Sequence, residues 1–206
     1  MSKKLGLWII SLIFFTLGLN QAIIAQEHES QIFFGLTLGP SIPIGSFADN
    51  SNNNEGSGYA SLSYGISDML LDFGFIFKNS NFGLSATYIS EGYVTDRDVI
   101  DSRLDFSNIT IGPMYSFDIS NSFTIDLKCQ FGYFSSLYKL SGISDNSMYG
   151  KGFGIDLRSL LRFQLNKHWF LIGQCGYLYS DQKFKDFDNF HIQALNVGLG
   201  VGFKIR

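Results

Sequence analysis

Leu195, Val197, Leu199, Val201, Phe203 and Ile205 are apolar, and the residues between them, Asn196, Gly198, Gly200, Gly202, Lys204 and Arg206, are small or polar. Period-2 alternation sets successive side chains on opposite faces of a strand, so this run is a strand with one greasy face. The unit recurs along the chain. From 153 to 165, Phe153, Ile155, Leu157, Leu161, Phe163 and Leu165 share one face, and Asp156, Arg158, Arg162 and Gln164 the other. From 123 to 133, Phe123, Ile125, Leu127, Cys129, Phe131 and Tyr133 alternate with Thr124, Asp126, Lys128, Gln130 and Gly132. Weaker versions span 32–44, 82–93, 106–117 and 169–180. The run 58–77 changes phase, from Ala60, Leu62, Tyr64 and Ile66 to Met69, Leu71, Phe73, Phe75 and Phe77. One extra residue near Ser67-Asp68 would do this, as a β-bulge does. A tight turn there, giving two short strands, is the competing reading. One bulged strand is preferred because each half alone is too short to span.

The connections alternate in kind. Lys78-Asn79-Ser80-Asn81, Asp118 to Ser122 and Asn166-Lys167-His168 are tight turns, whereas stretches near 45–57, 95–105, 139–150 and 181–190 are longer and polar. Short turns on one rim and long loops on the other are the asymmetry of a membrane barrel. With both termini on the short-turn side the strand count is even, and eight fits. The expected fold is therefore all-β: an eight-stranded antiparallel transmembrane β-barrel with short periplasmic turns and longer extracellular loops. It must close, because unpaired backbone groups in hydrocarbon cost several kcal/mol each.

The start of the chain reads as an export signal. Lys3 and Lys4 precede the apolar run Leu5 to Leu19, and Asn20-Gln21-Ala22-Ile23-Ile24-Ala25 ends in a small residue. The run falls short of the ~20 residues that a helical span needs, so 1–25 is expected to be a cleaved signal peptide and 26–206 the barrel domain. No Cys directly follows the cleavage site, where Gln26 stands, which argues against a lipoprotein.

Alternation alone does not say which face is outside. A soluble lipocalin-like barrel also has eight strands and a leader. Charged residues are only 16% of this chain, with Glu at 27, 29, 55 and 91 alone, whereas soluble domains carry roughly 25%. Aromatics also gather near strand ends. Phe33, Phe77, Phe82, Phe117, Phe123, Phe163, Trp169 and Phe203 lie toward the turns; Tyr59, Tyr93, Phe106, Tyr138, Tyr149, Tyr179 and Phe190 lie toward the loops. Two such belts are expected at membrane interfaces. The greasy faces are thus expected to point outward to lipid. Leu199→Arg should then impair assembly, and the inward Gly200→Ser should be much milder.

An outward greasy face leaves Asp72, Asp126, Lys128, Asp156, Arg158, Arg162 and Lys204 inside. Isolated charges in so narrow a space carry a heavy desolvation penalty, so they are expected to pair across strands. Asp126 and Arg162, at similar depth on neighbouring strands, form the first candidate pair.

The leader ending Ala25-Gln26, the first strand Gly35-Leu36-Thr37-Leu38-Gly39-Pro40-Ser41-Ile42-Pro43-Ile44-Gly45-Ser46-Phe47 and the last strand together resemble a family. They are similar to the porin-like outer-membrane β-barrels common in Bacteroidetes, of the eight-stranded OmpA/OmpX type. The resemblance covers 26–206 through loose patterns and implies location in the outer membrane. Asn196, Gly198, Val201 and Phe203 also resemble the C-terminal signal read by the barrel-assembly machinery during insertion. This chain departs from that signal by running on through Lys204-Ile205-Arg206. The family has no single activity.

No catalytic constellation stands out among His28, His168 and His191, although His191 lies at the loop rim near Asp186 and Asp188. Asp96, Asp98 and Asp101 lack an EF-hand pattern, and the glycines follow strand alternation rather than a phosphate-binding motif. Cys129 and Cys175 fall on greasy faces a whole strand apart, too far to bridge. No enzyme activity, cofactor or metal is expected. A net charge of −3 without a Lys/Arg cluster argues against nucleic acid. The expected partners are outer-membrane lipid and an extracellular ligand met by the loops. A structural or surface-interaction role with a filled lumen is the first reading, because eight strands leave an interior just wide enough for side chains. A narrow diffusion channel is the alternative.

Overall fold

The computed structural model describes residues 29–45, 62–95, 102–140, 147–184 and 190–205. Eight strands follow in order: β1 (Gln31–Pro43), β2 (Leu62–Ile76), β3 (Phe82–Thr95), β4 (Ser102–Asp118), β5 (Phe123–Leu140), β6 (Ser147–Gln164), β7 (Trp169–Phe184) and β8 (Phe190–Ile205). Each pairs antiparallel with its sequence neighbours, and β1 pairs with β8 to close the barrel. A path through paired residues runs Leu36, Leu71, Tyr88, Ile109, Tyr133, Phe153, Asp181, His191. It ends ten residues from Val201, the β8 partner of Leu36 (201 − 191 = 10). A stagger of that kind tilts the strands by roughly 35–45° and leaves a bore that side chains fill.

β2 is one strand with a bulge. On β3 the partners of Ser67 and Met69 are adjacent, Glu91 and Ser90, so Asp68 is the extra residue. The register with β1 shifts at the same place. The strands outrun the alternating segments at their loop ends: β4 starts at Ser102, β5 reaches Leu140, β6 starts at Ser147, β7 reaches Phe184 and β8 starts at Phe190. There the outward positions turn polar, as at Asp105, Lys139, Lys151 and Lys183, so the apolar signal lapses while the ladder continues.

The tight turns hold as their residues dictate. Asn79 has φ 55°, a left-handed conformation that Asn tolerates. Asn166 Oδ1 accepts from the backbone N–H groups of His168 (2.9 Å) and Trp169 (3.0 Å), and Ser120 Oγ does the same for Ser122 and Phe123. Side chains that mimic a backbone turn in this way are why Asn and Ser favour such sites.

The greasy faces point outward. Leu199 is 76% and Phe153 77% exposed, and Leu36, Leu71, Leu84, Ile111, Leu127, Leu161 and Leu171 are also exposed. The belts need correction. Phe77, Phe82, Phe123, Phe163 and Trp169 ring the turn end on the outside, and Tyr149 is exposed near the loops. Phe33, Tyr93 and Phe106 instead point inward and are buried. The placement of Tyr59 and the side chains of Tyr138 and Phe190 lie outside the described residues.

Gly200 also departs from expectation. A Cβ there would meet the Leu36 carbonyl oxygen at 2.0 Å and Thr37 Cγ2 at 2.6 Å. The glycine is required by close backbone approach, so Gly200→Ser is not a mild change.

Candidate functional site

The interior, where the charged side chains converge, is the candidate site, and it is layered. At the turn end Phe33, Ile76, Met114, Leu160, Phe170 and Ile172 form an apolar cluster. At the loop end Leu70, Ile89, Tyr93, Leu104, Phe106, Phe134, Leu178, Ile192 and Ala194 form a second. Buried polar and charged side chains lie between and beneath them.

Asp126 and Arg162 lie within ion-pair distance. Arg162 Nη2 donates to Asp126 Oδ1 at 2.8 Å, and Nε lies 2.7 Å from Oδ2. One charge-assisted hydrogen bond and one close charge contact hold the guanidinium beside the carboxylate, although Nε and Oδ2 do not meet in hydrogen-bonding geometry. Ser116 Oγ donates to Asp126 Oδ1 at 2.6 Å. The guanidinium lies 4.5 Å from the Phe33 ring centroid and 5.6 Å from that of Phe170. An aromatic face attracts a cation, so the inward Phe33 helps seat the charge.

Lys128 donates to Asp72 across the bore, and Thr87 Oγ1 donates to the other Asp72 oxygen at 3.0 Å. Arg158 pairs with Asp156 two residues away on β6, at 2.8 Å, and donates to Gln174 Oε1 at 3.0 Å. Gln130 accepts from Thr110 (3.2 Å) and donates to Ser85 (2.8 Å). All six of these charged residues are at most 6% exposed. Lys204 is different: it is half-buried at the turn end of β8, where its backbone N–H donates to His168 O at 2.7 Å.

Glu91 is an interior acid that the alternation did not reveal. Tyr93 and Ser41 donate to one of its oxygens and Asn196 Nδ2 to the other; Asn196 also donates to Ser41 Oγ at 2.8 Å. Among the described residues, the buried acids are thus Glu91, Asp72, Asp126 and Asp156, and the buried bases Lys128, Arg158 and Arg162. Asp156 Oδ1, Thr37 Oγ1, Asn196 Oδ1 and both Asn108 amide atoms have no protein partner. Enclosed water satisfies such groups in protein interiors.

Of the C-terminal signal positions, Asn196 and Gly198 face inward, while Val201 and Phe203 lie on the outer face. A Cβ on Gly198 would meet Gln174 Nε2 at 2.8 Å, so this glycine makes room for a lumen side chain.

His191 pairs with Asp181 on the neighbouring strand, with the Tyr179 ring stacked against the imidazole at 6.1 Å. Asp186 and Asp188, its expected neighbours, lie outside the described residues, as do Asp96, Asp98 and Asp101. Among the described residues no group of three or more His, Cys, Asp or Glu is placed to hold a metal ion. Cys129 and Cys175 are free thiols.

Neither a protein-family profile nor a curated protein sequence matches the chain. Solved structures do. Neisserial surface protein A is 12% identical with a TM-score of 0.56, the match covering 86% of this chain and all of that one. The outer membrane protein OprG of Pseudomonas aeruginosa is 13% identical with a TM-score of 0.55, covering 88% and 98%. Ail, the attachment invasion locus protein of Yersinia pestis, is 16% identical with a TM-score of 0.51, covering 87% and 100%. The chain has the eight-stranded fold of these outer-membrane barrels.

Proposed function

We propose that this chain is an integral outer-membrane β-barrel whose lumen is closed and whose loops carry a structural or surface-interaction role outside the cell. Segment 1–25 directs export, the turns face the periplasm and the loops the exterior. The barrel-assembly machinery inserts the barrel through the strand bearing Asn196, Gly198, Val201 and Phe203. In this reading the protein is a non-catalytic member of the porin-like group common in Bacteroidetes.

The observation that carries the closed lumen is the layering. Two apolar clusters bracket the Lys128–Asp72 and Arg158–Asp156 pairs in the bore, and the Arg162–Asp126 pair sits against the turn-end cluster. An ion entering from either end would leave water at an apolar layer and then displace a buried pair. Lone charges in such surroundings cost several kcal/mol. Planar-bilayer recording tests this: purified wild-type barrel should conduct little or no current. Large, steady single-channel steps would replace this reading with the diffusion channel.

A further inference from the structure

Beyond the edge of the apolar band, the outer wall carries two paired rungs of opposite character. The inner rung is Ile109, Tyr133 and Phe153, aligned across β4, β5 and β6 and exposed by 64%, 44% and 77%. Tyr133 and Phe153 meet edge to face, with ring centroids 5.9 Å apart. Two residues toward the loops, Ser135, Lys151 and Lys183 align across β5, β6 and β7. Lys151 and Lys183 are exposed and directly opposite one another.

That pairing is unfavourable by itself. Directly opposed residues hold their Cβ atoms about 5 Å apart, and like charges there repel. Neither lysine has an ion-pair partner among the described residues. Among the described residues, Asp181 on the outer face of β7 is engaged by His191 and Tyr179. One rung therefore offers apolar area, and the next offers two ammonium groups and a hydroxyl, in the order in which a lipid presents acyl chain and headgroup.

We propose that this wall, resting on the membrane reading above, binds the phosphate of an anionic lipid. Lys151 and Lys183 clasp the phosphate, Ser135 donates to it, and an acyl chain lies along Phe153, Tyr133 and Ile109. Opposed lysines then become a two-point anion site instead of a liability of β6–β7 pairing.

The test uses the full mature barrel incubated with vesicles of equal phosphatidylglycerol and phosphatidylcholine, re-isolated in mild detergent, with retained lipid quantified by mass spectrometry. Wild type should retain phosphatidylglycerol preferentially. Juxtamembrane lysines contribute about 1 kcal/mol each, so Lys151→Gln with Lys183→Gln should weaken the preference roughly twenty- to thirty-fold. Phe153→Ser should lower total retained lipid. Equal retention of the two lipids by wild type, or an unchanged preference in the double variant, overturns the proposal. So does complete displacement of the lipid by inorganic phosphate with no effect of Phe153→Ser, since the site would then take a free anion. Unboiled gel mobility of the same samples separates failures: a folded, membrane-inserted barrel without lipid preference refutes this site alone, whereas a protein that never inserts refutes the membrane reading.

Discussion

Replacing Asp126 with Ala strands a guanidinium inside the barrel wall. The change deletes both contacts to Arg162, at 2.7 and 2.8 Å, and leaves a residue that is only 6% exposed in the intact barrel without its acid. Removing one partner of a buried pair typically costs about 3–5 kcal/mol. Ser116 loses its acceptor as well, which adds about 1 kcal/mol. The Phe33 and Phe170 rings face the cation in both proteins, so that attraction cancels in the difference. A net loss of about 4–6 kcal/mol is expected. Asp126→Ala combined with Arg162→Met removes both charges and should recover most of it, leaving the double variant more stable than the sum of the singles by at least about 2 kcal/mol. Urea unfolding in lipid vesicles reads this through Trp169, since the other tryptophan, Trp8, lies in the segment expected to be cleaved. A loss below about 1 kcal/mol for Asp126→Ala, or a double variant as unstable as the sum of the singles, would refute the argument that pairing holds this end of the lumen.

Leu199→Arg places a charge on the outer face at 76% exposure and should cost about 2–4 kcal/mol in membrane assembly; equal folding yields of variant and wild type would reverse the facing. Thr37→Val is the inward control: its hydroxyl has no protein partner, so the change should lie within about 1 kcal/mol of neutral in the same urea titration. Gly200→Ser, also inward, should impair assembly on gels, because its Cβ would approach a backbone oxygen at 2.0 Å; wild-type assembly would deny that close approach. N-terminal sequencing of the purified protein should begin at Gln26, and a mature chain retaining Leu5 to Leu19 would refute the leader.

The fold was legible because period 2 survives wherever one face meets apolar surroundings and the other meets small or charged neighbours. β8 and the Asp126–Arg162 pair are readable on that ground, and the phase change near Asp68 marks its bulge. The same rule fails where both faces are apolar. Ile32-Phe33-Phe34 and Tyr88-Ile89 carry large apolar residues on successive positions, so the alternation does not mark Phe33 or Ile89 as inward. The two apolar layers of the lumen were invisible for this reason. Glu91 was missed because β3 alternates weakly, and its partners Ser41 and Asn196 lie 50 and 105 residues away. Strand ends were missed where the outward face turns from apolar to polar, since outward Lys139 and Lys151 differ little in polarity from the inward side.

In the proposed reading the greasy surface faces lipid around a closed, hydrogen-bonded barrel. Membrane fractionation with paired unboiled and boiled gel lanes decides this. A carbonate-resistant outer-membrane protein is expected, its unboiled form migrating differently from the boiled one. Recovery in the soluble periplasmic fraction, with one mobility before and after boiling, would contradict it.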